Sequence, residues 1–104
     1  GAEEVGLSET EFAFFNILSA EVGQAHELRE LDEPIQLEIK AVTEQLVGMM
    51  EELTSIVDFF QKPDEIKAMK RRIKRTLLET SFDSAELRQQ VIDQFMELAR
   101  VKFG

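Results

Sequence analysis

Residues 34–60 read PIQLEIKAVTEQLVGMMEELTSIVDFF, and their apolar rhythm decides the fold. Ile35, Ile39, Val42, Leu46, Met49, Leu53, Ile56 and Phe60 follow one another in alternating steps of four and three residues. That spacing keeps a stripe on one face of an α-helix. It predicts a helix over Ile35–Phe60, about 39 Å long at ~1.5 Å per residue, capped by Asp32 or Glu33 with Pro34 in its first turn. Val47, Met50 and Val57 widen the stripe beyond the two-position seam of a dimeric coiled coil. A wide stripe points to burial among several helices of one chain rather than to a homodimer zipper. Gly48 inside this helix costs about 1 kcal/mol relative to alanine, so it reads as a point of close helix approach.

On the N-terminal side, Ser8 and Glu11 have the spacing of a capping box and Gly23 stands where a C-terminal cap belongs, which predicts a helix over 9–22. Phe14, Phe15, Ile17, Leu18 and Val22 form its apolar band, and Phe12 falls on the polar side. Leu7 just before the cap and Phe12 at the fourth helical position have the arrangement of a hydrophobic staple, which explains Phe12 without a ligand. Residues 24–33 form a polar connection. On the C-terminal side, Lys62-Pro63 opens a helix to about Thr80 with Ile66, Met69, Ile73 and Leu77 on a narrow stripe. A last helix begins at Asp83-Ser84-Ala85-Glu86, a capping-box analogue with Phe82 and Leu87 as its staple. Leu87, Val91, Ile92, Phe95, Leu98 and Ala99 make up its apolar half.

No segment alternates as a half-buried strand does. The expected class is all-α, a bundle of about four helices built on one long central helix. A chain of 104 residues with 43% hydrophobic content suffices for one core. The expected organisation is a flexible acidic tail over 1–6 and a single helical assembly domain over 7–104.

Chemistry is limited by inventory. With no cysteine, thiolate metal sites and cysteine nucleophiles are excluded, and a reducing cytoplasm suits the chain. The one histidine, His26, lies in the polar connection, whereas a metal site needs several convergent ligands. Neither G-x-G-x-x-G nor G-x-x-x-x-G-K occurs. Paired acids such as Glu51-Glu52 point about 100° apart on a helix and do not share one proton. The expectation is therefore no catalytic, metal or cofactor site, and no membrane span, since no apolar run approaches the ~20 residues that crossing requires.

The net charge of −9 disfavours broad nucleic-acid binding, yet it is unevenly distributed. Residues 1–61 carry −12 and residues 62–104 carry +3. Opposite the Ile66–Leu77 stripe lie Lys67, Lys70, Arg71, Lys74 and Arg75, with Arg72 on a flank, half of all the lysines and arginines in the chain. Such an arc is either the solvated side of an amphipathic helix or a binding stripe for phosphates or an acidic protein surface.

Residues 57–78, VDFFQKPDEIKAMKRRIKRTLL, resemble the C-terminal helical region of type I restriction enzyme R (motor) subunits. There a long helix ends in an Ile-Asp-Trp-like corner, followed by a lysine and a basic amphipathic helix. Asp58, Lys62, Ile66, Met69, Lys70, Ile73, Lys74 and Leu77 match the pattern, and Leu7-Ser8-Glu9-Thr10-Glu11-Phe12 is similar to the start of the same region. Phe59 departs from it, standing where the family has tryptophan. The resemblance implies a parent chain with an endonuclease domain and ATP- and Mg-dependent motor domains upstream. It implies methyltransferase and specificity subunits as partners, with DNA reached through the parent complex. The alternatives are a helical DNA-contacting module and a self-associating bundle. The fragment itself is expected to be a cytoplasmic monomer.

Overall fold

A computed structural model describes residues 1–104. Every regular element in it is helical: α1 (Ala2–Val5), α2 (Glu9–Ala25), α3 (Glu33–Leu53), a 3-10 turn at Phe59–Gln61, α4 (Pro63–Leu78) and α5 (Ala85–Phe103). The principal packing pairs are α2 with α3 and α5, and α4 with α3 and α5, so the four long helices close a ring with α2 diagonal to α4. No helix is long and apolar enough to cross a membrane.

The core lies where the four apolar stripes meet. Phe14 of α2 stands edge-on to Phe95 of α5, with ring centroids 5.0 Å apart, and stacks on Phe103 at 6.0 Å. Ile39, Leu46, Val47 and Met50 of α3 and Met69, Ile73 and Leu77 of α4 fill the other side. Connections between helices are pinned by polar contacts. His26 Nε2 lies 2.9 Å from the Phe82 carbonyl, joining the α2–α3 connection to the loop before α5. Glu38 near the start of α3 accepts bonds from the backbone N–H and hydroxyl of Ser81, just past the end of α4, so α3 and α4 run antiparallel.

The cap of α3 is as the sequence predicts, with Asp32 Oδ1 accepting from the Ile35 N–H at 3.1 Å and Pro34 in the first turn. Its length is not. The helix ends at Leu53, about 31 Å of rod at ~1.5 Å per residue, and not at Phe60. Thr54 Oγ1 donates to the Met50 carbonyl at 2.7 Å and Ser55 Oγ to the Glu52 carbonyl at 2.6 Å. These bonds satisfy carbonyls that a helix end leaves without partners. Asp58 then turns the chain with a left-handed backbone, φ 54°. As a result Phe59, off the predicted seam, is the deeply buried aromatic, and Phe60 is only half-buried, edge-on to it at 5.0 Å.

Four further expectations change. Gly48 is exposed, and a Cβ there would meet nothing within 4 Å, so it marks no close approach. Helix α2 runs through Gly23 to Ala25, and the left-handed residue beyond it is Glu27, φ 54°. Ser84, one residue later than expected, caps α5 by accepting from the Leu87 N–H at 3.1 Å. Asp83 is thereby free to pair with Arg88 across the first turn. Part of the expected N-terminal tail is structured: Ala2 is buried, α1 packs on α2, and Gly6 takes a left-handed conformation, φ 73°, that glycine adopts without strain. Leu7 is buried, while the half-buried Phe12 stacks on Phe15 at 6.1 Å.

Candidate basic interface

Helix α4 is built to turn two different sides outward and inward. Pro63 fixes the first-turn geometry, and Asp64 and Glu65 complement the positive end of the helix dipole. Met69, Ile73 and Leu77 are fully buried and Ile66 is half-buried, so the predicted stripe is the side that faces α3 and α5. The remaining arc faces solvent: Lys67, Lys70, Arg71, Lys74 and Arg75 are all exposed, as is Arg72.

None of these six cations is paired. The ion pairs of the molecule are Asp83–Arg88 and the N-terminal amine with Glu4. Lys67–Arg71, Lys70–Lys74 and Arg71–Arg75 stand at i,i+4, where like charges repel by roughly 0.2–0.5 kcal/mol per pair. No carboxylate of the fold forms an ion pair with these cations, and an opposing acidic surface would relieve the repulsion.

Arg72 belongs to the edge of the face. With Thr76 it forms one wall of a groove of about 380 Å³, whose other wall is Glu44, Gln45, Gly48, Met49 and Glu52 of α3. The exposed Gly48 puts no side chain into this groove. At the far end of the arc the structure adds a residue that charge patterning does not single out. Leu78 is 49% exposed. It continues the row Lys67, Arg71, Lys74 at i, i+4, i+7 and i+11, so the helical projection carries the signal that places it on the basic face.

The corner residues are divided between core and surface. Phe59 is buried, while Asp58 and Lys62 are exposed. Lys62 occupies the N-cap position of α4 without a side-chain cap bond, so the corner leads directly into the helix that carries the arc and ends at Leu78. Beside the corner the Arg100 guanidinium lies 4.9 Å over the Phe60 ring. These two residues, with Ile56, Asp58 and Phe103, line a recess of about 390 Å³. His26 is exposed and engaged with the Phe82 carbonyl, away from the basic arc.

No family model, curated protein or solved structure matches the chain.

Proposed function

We propose that the chain is a non-catalytic docking domain whose basic α4 face seats an acidic protein surface. The observation that carries this reading is the set of six exposed, unpaired cations backed by the buried Met69, Ile73 and Leu77 on the same helix. Charge that a fold leaves unneutralised on one rigid face favours encounter with a partner of opposite sign.

The resemblance of residues 57–78 to type I restriction enzyme R subunits supplies a candidate setting. In it the domain docks an ATP- and Mg-driven motor and endonuclease, encoded upstream, onto a methyltransferase and specificity core in the cytoplasm. Catalysis and cofactors belong to that parent, and DNA is reached through the complex.

The same six cations also suit a phosphate backbone, so a DNA-contacting module is the second reading. One experiment separates them. The chain and its Lys70→Glu, Arg71→Glu, Lys74→Glu variant are mixed with a purified methyltransferase–specificity complex and, separately, with a DNA duplex. Docking predicts co-elution of the unaltered chain with the complex, loss of co-elution by the variant, and negligible duplex binding by both. Contact with DNA predicts duplex binding whose log–log salt slope falls by about 0.9 for each phosphate that the variant no longer neutralises. Co-elution undiminished in the variant contradicts the proposal.

A further inference from the structure

We infer that the occupant of the α4 face is an acidic amphipathic helix of about three turns, presenting an apolar side chain to Leu78. This deepens the docking reading and rests on it. Lys67, Arg71, Lys74 and Leu78 form one straight row on the outward face, about 17 Å long at ~1.5 Å per residue. Single exposed leucines are ordinary on protein surfaces. What distinguishes Leu78 is its place as the last member of a row otherwise made of cations.

The row specifies its complement. A helix with carboxylates at i, i+4 and i+7 and an apolar residue at i+11 meets all four members, whereas a phosphate backbone meets three and leaves Leu78 wet. Extent favours the same choice. With six bases against Asp64 and Glu65, α4 carries +4 and the remainder of the chain carries −13. A three-turn helix can end where the basic face ends. A duplex continues past it at both ends, where exposed Asp64 at the start of α4 and Glu79 just beyond Leu78 repel it by like charge.

The test uses the full chain and a fluorescent helical peptide of about 14 residues, four turns, bearing three glutamates and a leucine in this register. A second peptide has serine for that leucine, and a DNA duplex serves as the polyanion control. The chain is expected to bind the leucine peptide. Leu78→Ser in the chain, or serine in the peptide, should weaken binding roughly tenfold. The Lys70→Glu, Arg71→Glu, Lys74→Glu variant should bind at least about a hundredfold more weakly, as removal of several charge pairs requires. Because Leu78 is half exposed and outside the core, circular dichroism should show the Leu78→Ser chain as folded as the parent. Equal binding by the Leu78→Ser chain, with binding abolished by charge reversal, overturns the apolar anchor and leaves basic docking standing. Tighter binding to duplex than to peptide overturns both. Failure of the peptide to bind overturns the helical occupant, while the co-elution experiment judges docking independently.

Discussion

Helices α3 and α4 are neighbours in the ring, yet they divide their surfaces differently. Helix α3 buries Ile39, Val42, Thr43, Leu46, Val47, Met49 and Met50, a wide face packed against two neighbours. Helix α4 buries only Met69, Ile73 and Leu77, and turns the rest of its circumference outward as a basic arc. A wide apolar face makes a helix a structural spine, because most of its substitutions disturb packing. A narrow one leaves a helix firmly held while most of its side chains remain free to meet something else. The contrast places the larger share of the packing in α3 and leaves α4 the free face that the proposed docking would use.

The largest expected effects probe the shared part of the comparison. Leu46→Ala on α3 and Ile73→Ala on α4 each remove a fully packed side chain, and each should cost roughly 2–5 kcal/mol in urea unfolding. Leu53→Ala should cost less than Leu46→Ala, since Leu53 is half-buried at the last turn of α3. Equal costs at 46 and 53 would mean that the seam extends past the observed helix end.

A smaller effect of opposite sign is expected at Thr43. It is fully buried, and its hydroxyl has no hydrogen-bond partner. Thr43→Val removes that unsatisfied group at similar volume and should stabilise by about 1 kcal/mol. A destabilised variant would show that the hydroxyl is bonded in solution. Next comes Gly48→Ala, at an exposed position with open space around the added methyl. It should stabilise by about 0.5–1 kcal/mol through helix propensity. Destabilisation instead would restore Gly48 as a close-approach site. Smallest is charge reversal on the arc. Lys70→Glu, Arg71→Glu, Lys74→Glu should leave the unfolding free energy within about 1 kcal/mol, because exposed charges contribute little to folding.

What is legible in the sequence follows the same division. The class, the four long helices and the buried stripe of α4 follow from periodicity, and Ser8, Asp32 and Pro34 mark the starts of α2 and α3 through local chemistry that packing does not override. The end of α3 is hidden because Ile56 and Phe60 keep the apolar rhythm and still pack on the core after the backbone has left the helix. The stop comes instead from hydroxyl-to-carbonyl bonds at Thr54 and Ser55 and a left-handed Asp58, none of which has a periodic signal. Gly48 and Gly23 mislead for a related reason: a glycine in a helix has the same letter whether it permits close packing, ends the helix or simply faces solvent. For the candidate interface, the five cations of the arc are readable as a face and are all exposed. Leu78 escapes a reading by charge, because only the geometry of the row connects it to the cations.

The most direct test of the central claim is lysine reactivity on mixing with the proposed partner, a methyltransferase–specificity core. Lys67, Lys70 and Lys74 lie on the arc, while Lys102 is exposed on α5 and serves as an internal reference. Acetylation rates at the three arc lysines should fall several-fold in the complex and stay unchanged at Lys102. Unchanged rates at all three in a chain demonstrably bound to the core, or protection confined to Lys102, would contradict the assignment of docking to α4.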